Sequence, residues 1–255
     1  LRRGLAWAVI REALRLNQYY KYDFALATFE TGHRSTLMLR KLQADGHRLE
    51  RMKKLHVLAR VLDLDRVASS EGLKRWETLA IQLVGGNRAI GGRETSSVRE
   101  YRPDDLDDCL RLLNSYRERI ELARVWHPDE LAWELTYPDV SQTLVYEKNG
   151  RVEGFLNFII HDHLGRTTER WAWMNHVAYF NLSPRERLSF IRAFLRYIKE
   201  KDCLGAIEWT KKYYPQRAFY RAHFFPYFRA VQMYSWTFNP EIALAGVRSS
   251  NEILV

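Results

Sequence analysis

Apolar and polar positions alternate along this chain in short segments of helical or strand period. Leu5, Val9, Ala13 and Leu16 recur at helical spacing and predict a helix over residues 5–20. Residues 22–28, YDFALAT, are an apolar run of strand length. Residues 35–42 predict a second helix ended by Gly46, and residues 54–62, KLHVLARVL, a second strand. Leu73, Trp76, Leu79, Ala80 and Leu83 share one face of a helix expected over 71–83. Gly85, Gly86, Asn87, Gly91 and Gly92, followed by Ser96 and Ser97, interrupt the pattern, and a domain boundary is expected there.

The pattern then restarts. Residues 98–102 predict a strand. Pro103, Asp104 and Asp105 start a helix with an acidic first turn, and Leu106, Leu110, Leu113 and Ile120 mark its buried face. A short helix follows at 128–135. TLVYEK and RVEGFLNFII flank Asn149 and Gly150, which readily take the positive φ angles of a type I′ turn, so a β-hairpin is expected. Residues 170–180 predict an aromatic-rich strand. Ser183, Pro184 and Glu186 supply a cap, a first-turn proline and a capping box, ahead of the stripe Leu188, Ile191, Leu195 and Ile198. A strand at 204–210, a helix at 216–223 and a strand at 231–238 complete the series.

The two ends carry the same order. Residues 5–62 and 184–238 both run helix, strand, helix, strand, with Thr28 and Thr210 at matching places. This suggests two copies of one fold, the first lacking its front half, in a chain that opens on Leu1 and reads as part of a longer one. The expected division is 1–62 for the back half of the first copy, 63–97 for a helix and glycine-rich linker, 98–240 for the complete second copy, and 241–255 for a tail. The strands at 22–28 and 54–62 then need partners that residues 1–97 do not supply. Open edges invite pairing, so these strands are expected to dock on the second copy's sheet or on another chain.

Composition narrows the class. The 46% apolar and 28% charged content is that of a soluble globular protein. The absence of an apolar run of about 18 residues argues against a membrane span. Cys109 and Cys203 are too few for a disulfide framework or a cysteine metal cage, which points to a reducing, cytoplasmic setting. The net charge of +9 suits a nucleic acid, an acidic surface or a phosphorylated cofactor, or simply keeps the chain soluble. His161, Asp162, His163 and His176 have strand spacing that metal ligands use. No further Cys or acidic cluster completes a site, and no metal is expected. The run KKYYPQRAFYR mixes charge and aromatics as single-stranded nucleic-acid binders do, without a recognised module around it.

From residue 98 the order β-α-α-β-β-β-α-β-α-β resembles that of the GNAT superfamily, and residues 1–62 resemble the back half of another such domain. Arg2, Arg3, Gly4, Leu5 and Ala6 resemble the family's cofactor motif at a helix start. Gly4 and Ala6 match, while Leu1 departs from the usual glutamine or arginine. Ser35, Met38 and Gly46 resemble the family's late helix, with serine in place of asparagine and His47 in place of phenylalanine. The resemblance implies an α/β (α+β) fold: a mixed, largely antiparallel sheet flanked by helices, preceded by the C-terminal half of a second such domain. It implies an N-acyltransferase that moves an acyl group, usually acetyl, from acyl-CoA to a small-molecule or peptide amine. Small residues at the helix start would let free amides reach the CoA pyrophosphate. Ala218, Tyr220 and Phe224 resemble the late helix whose tyrosine protonates the leaving thiolate, which implies Tyr220 as acid. Glu169 lies where many members place a base. Two alternatives stay open: a non-catalytic GNAT-fold binding or structural module, and a transferase using aminoacyl-tRNA. In the second copy Arg185 or Glu186 stands opposite Gly4, and no glycine lies between Phe180 and Leu204. That copy is expected to bind CoA weakly or not at all, leaving the cofactor to the first and the acceptor site to the second.

Overall fold

The computed structural model describes residues 2–32, 36–92 and 95–250, so Leu1 and Ser35 lie outside the described residues. The elements run α1 (Arg2–Tyr19), β1 (Phe24–Glu30), α2 (Thr36–Ala44), β2 (Leu49–Val61), α3 (Leu64–Glu71), α4 (Arg75–Leu83), β3 (Val98–Glu100), α5 (Leu106–Asn114), α6 (Pro128–Thr136), β4 (Ser141–Lys148), β5 (Arg151–Leu164), β6 (Thr168–Tyr179), α7 (Pro184–Glu200), β7 (Gly205–Trp209), α8 (Arg217–Arg221) and β8 (Phe225–Thr237). Contacts divide the chain into two compact units. The smaller draws on Leu1–Leu55 and Arg229–Arg248, and the larger on His56–Phe228 with Ser249 and Ser250.

In the smaller unit the strand order is β1-β8-β2. β1 pairs antiparallel with β8, Phe24 opposite Thr237 and Glu30 opposite Val231. Leu39 and Leu42 of α2 and Leu49 of β2 form its core, with Trp7 and Ile10 of α1, Phe29, Tyr234 and Trp236 packed against them. The Gln232 side chain donates to the Lys53 carbonyl at 2.9 Å. The face of α1 marked by Leu5 and Val9 is not the buried one. Leu5 is 70% and Val9 61% exposed, while Trp7 and Ile10 pack against the core instead.

The larger unit carries the order β2-β7-β6-β5-β4-β3. Its described strand-to-strand pairings are antiparallel except β6 with β7, and an isolated bridge joins Leu122 and Ser250 in parallel. The strands of residues 22–28 and 54–62 thus do find partners beyond residue 97: β8 for the first and β7 for the second. Side chains alternate across the sheet, as strand geometry requires. On β4, Thr143 donates to the Leu135 carbonyl of α6 at 3.0 Å, while the Tyr146 ring lies 5.8 Å from Phe190 of α7. Phe158 of β5 stands edge-on to Phe194 of α7 at 4.9 Å. Both faces are therefore covered, which is why β4 and β5 carry continuous apolar runs.

Local chemistry matches the expectation at two places. Asn149 and Gly150 have φ of 55° and 74°, and Lys148 pairs with Arg151 across the tip of a hairpin. At the start of α7 the Ser183 hydroxyl accepts from the Glu186 amide at 3.3 Å, and the Ser183 amide donates back to the Glu186 carboxylate at 2.6 Å. Elsewhere the pattern misleads. The helix expected over 71–83 is α4, which begins only at Arg75 and whose marked residues Trp76, Leu79 and Leu83 are exposed, and a separate helix, α3, precedes it. Asp63 caps α3 by accepting from the Arg66 amide, and Gly72, at φ 65°, ends it before α4 begins. Ile120 lies beyond α5, which stops at Asn114, and reaches the core from a loop. The stretch expected to link two domains lies inside the larger unit, where Gly85 and Gly86 are buried. Among the described residues no helix is long and apolar enough to cross a membrane.

Candidate functional site

β6 and β7 run side by side for only three residue pairs, Trp171 with Gly205, Ala172 with Ala206 and Trp173 with Ile207. The cause of their parting lies in β6. Phe158 opposes Met174 and Asn157 opposes His176, so Asn175 is an extra, bulged residue. The bulge turns the Met174 and Asn175 carbonyls away from the ladder. Lys211, from the loop after β7, reaches into the gap and donates to them at 3.1 and 2.6 Å. Further along, the Tyr213 hydroxyl accepts from the Val177 amide at 3.2 Å, and the Tyr179 hydroxyl donates to the Pro215 carbonyl at 2.5 Å. The opening between the parallel strands is therefore filled by side chains of this chain.

Glu208 of β7 is wholly buried beneath this plug, with Oε1 3.1 Å from Lys211 Nζ and 2.7 Å from the Trp209 amide. Burial raises its carboxyl above the ordinary range, opposed by the charge of Lys211. Tyr179 and Tyr214 also lie buried, and desolvation pushes both phenols well above their usual value. None of these hydroxyls is a ready proton donor.

On the other side of the bulge stands a second arrangement. His176 of β6 is 8% exposed, and its Nε2 lies 3.6 Å from Glu134 Oε2 of α6. The imidazole stands edge-on to Trp126 at 4.9 Å, and the Arg124 guanidinium caps that indole at 3.8 Å. Asn157, opposite His176 on β5, donates to Ser141 and Thr143 hydroxyls at 2.7 and 2.8 Å and fixes the floor. Contact with His176 keeps the Glu134 carboxyl below its ordinary range, against burial and with help from Arg124. At 3.6 Å the pair is an electrostatic contact and not a hydrogen bond, and the buried Nε2 has no hydrogen-bond partner among the described residues. Trp133 of α6 and Tyr137 at its C-terminal cap are 59% and 41% exposed, with ring centres 4.8 Å apart.

The residues singled out in the sequence fall in separate places. Glu169, near the start of β6, accepts from Arg66 at 2.6 Å and from the Thr167 hydroxyl at 3.1 Å, while Arg66 also binds Asp202 at 2.7 Å. Both of its carboxylate oxygens are thereby engaged within the chain. Tyr220 lies on α8 and is 47% exposed, between the buried Ala218 and Phe224 of the same pattern. Arg2, Arg3, Gly4, Leu5 and Ala6 form the first turns of α1, in the smaller unit. A β-carbon on Gly4 would meet nothing within 4 Å, so packing does not demand glycine there. His161 and His163 lie on β5, not after it. His161 stands against Trp173 at 5.1 Å and His163 pairs with Glu71 at 3.1 Å, and neither gathers with His176. Among the described residues no group of three His, Cys, Asp or Glu could hold a metal. Glu134 carried no signal in sequence, because helix and strand bring it to His176 only in the folded chain.

Comparison with solved structures places the chain beside Saccharomyces cerevisiae N-myristoyltransferase. Against structures with bound myristoyl-CoA the TM-score is 0.57 at 13% identity and 0.58 at 16% identity, covering 84% and 87% of this chain. Against one with myristoyl-CoA and inhibitors it is 0.56 at 14% identity. The chain spans 63–64% of the length of those proteins. No sequence model of a known family matches, and no curated protein matches by sequence. The fold is GNAT-like: a mixed, largely antiparallel sheet flanked by helices, as in these N-acyltransferases.

Proposed function

We propose that this chain belongs to an acyl-CoA-dependent N-acyltransferase, with its two ends as copies of one domain type, residues 1–62 and 98–240. The observation that carries the reading is the likeness in fold to enzymes whose structures hold myristoyl-CoA. The reaction joins an amine nitrogen to the thioester carbonyl, releases the CoA thiolate, and moves one proton from the nitrogen to a base and one to the sulfur.

The start of α1 is the proposed cofactor site. Its first amides lack helical partners, and Gly4 and Ala6 leave room for a pyrophosphate to approach them. Glycine costs a helix about 1 kcal/mol against alanine. At Gly4 that cost has no packing reason, which supports a ligand as the reason. The larger unit is proposed not to hold CoA in the same way. The start of α7 is closed by its own Glu186, which also pairs with Lys148 at 2.8 Å, and the gap between β6 and β7 is filled by Lys211 and Tyr213. His176, with the Glu134 carboxylate 3.6 Å away, replaces Glu169 as the proposed base, and Tyr220, exposed on α8, stays the proposed acid. The acyl group, acetyl or longer, and the amine are open to the same test.

Titrate acetyl-CoA and myristoyl-CoA separately into the full chain by calorimetry. Saturable binding of at least one is expected, strongly reduced by Gly4→Asp and unchanged by Arg11→Ala on the same helix. An aspartate near a helix N-terminus favours the helix, so a loss is not unfolding. Equal affinities for Gly4→Asp and the unaltered chain would remove α1 from the argument.

A further inference from the structure

Arg60 of β2 is 1% exposed, yet no carboxylate pairs with it among the described residues. Its guanidinium is spent on backbone carbonyls, those of Val61, Gly86 and Arg88, and its Nε has no partner. A buried cation without an anion is costly, and proteins ordinarily supply a counter-charge. Here the neighbours make the imbalance worse. A β-carbon on Gly85 would lie 3.2 Å from Arg88 Nε and 3.2 Å from His223 Nδ1, so both side chains crowd one face of that glycine. Arg192 of α7 stands over Gly92, where a β-carbon would lie 2.9 Å from its Nη1. Arg196 donates to the Gly91 and Gly92 carbonyls at 3.0 and 2.6 Å and ties the loop to α7.

We propose that Arg88 of the loop Gly85 to Gly92, with Arg192 of α7 and His223 after α8, which approach that loop near the buried Arg60, form a binding site for a phosphate group. The cations converge around a glycine-rich loop instead of lining a strip, which fits one compact tetrahedral anion and not an extended nucleic-acid backbone. The amides of Asn87, Ala89 and Ile90 make no hydrogen bond among the described residues and add neutral donors. Arg60, closed from solvent, acts through its field. Repulsion shows in His223, whose pKa is lowered by burial and then by Arg60, Arg88 and Arg192. The nearby groove of about 310 Å³ along α7 carries Glu100 and Glu200 beside Arg99 and Arg196, so its charges offset each other and it lacks the one-sided positive charge of the loop. This inference is independent of the acyltransferase reading.

The test follows the His223 imidazole of the full chain by NMR through a pH titration, with inorganic phosphate against chloride at equal ionic strength. Phosphate is expected to raise the His223 pKa and to saturate. Arg192→Ala and Arg88→Ala are each expected to weaken this binding about tenfold, and Arg217→Ala to leave it unchanged. The two arginines lie on the surface side of the cluster, so neither change removes core packing. An equal shift in chloride, or no saturation, overturns the site. A short single-stranded oligonucleotide that binds far more tightly than phosphate, and loses its affinity in the same two variants, replaces the compact anion with nucleic acid and overturns the proposal as stated.

Discussion

Lys211 Nζ lies 3.1 Å from Glu208 Oε1 with both residues inside the fold, 2% and 0% exposed. The pair is unequal. Lys211 also donates to two carbonyls of the β6 bulge, whereas Glu208 relies on neutral partners, the Trp209 amide and the Tyr214 hydroxyl, besides the lysine. Removing the lysine leaves a buried acid with no cation. Lys211→Met is expected to destabilise the chain by about 3 kcal/mol. Glu208→Gln keeps the carbonyl partners of Lys211 and should cost less. Denaturant unfolding of both variants and the double variant measures this, and a larger loss for Glu208→Gln would reverse the assignment.

His176 and Glu134 give a kinetic expectation. If the chain transfers acyl groups, His176→Gln is expected to lower kcat by about 10²-fold or more, with KM for acyl-CoA little changed. Glu134→Gln, which removes only the neighbouring charge, should lose less, and added imidazole should restore part of the His176→Gln loss. A thermal midpoint taken alongside separates this from unfolding. Unchanged kcat in a folded His176→Gln protein would exclude the histidine as base.

Two glycines separate crowding from backbone strain. A β-carbon on Gly205 would run into the Arg60 carbonyl and lie 2.7 Å from the Trp171 ring. Gly205→Ala is expected to cost about 2 kcal/mol. A β-carbon on Gly150 meets nothing, but φ is 74° there. Gly150→Ala is expected to cost about 1 kcal/mol through its backbone alone. Unfolding midpoints should rank the two in that order.

Stability should also fall on mild acidification. Burial lowers the pKa of His161, with His163 adding and Asp162 opposing, and that of His223 as described above. A folded-state pKa below the ordinary 6.5 means that the unfolded chain binds more protons in the interval between the two. Stability then rises with pH through that interval and levels off above it. His161→Gln and His223→Gln should each flatten the slope. Carboxyls held low by partners, such as Glu186 at about 2, act only further into acid.

The sequence by itself determined the local elements, because their causes lie within a few residues. Asn149 and Gly150 carry their own turn geometry, and Ser183 and Glu186 bond each other one helical turn apart. The period of apolar residues marked α7 and the strands around the hairpin, and the element order carried the GNAT-like fold. What failed locally was length. Ile120 sits on the right spacing for a helix that had already ended, and the stripe from Leu73 gave no sign that α4 starts only at Arg75. Tertiary structure alone decided the partners. β1 pairs with β8 and β2 with β7 across long stretches of chain, so hydrophobic pattern announces the strands but not their neighbours. The bulge at Asn175, the ion pair that occupies Glu169, and the approach of Glu134 to His176 have the same origin. Each depends on a side chain's distance from another element, and only the closing of the sheet and its helices sets that distance.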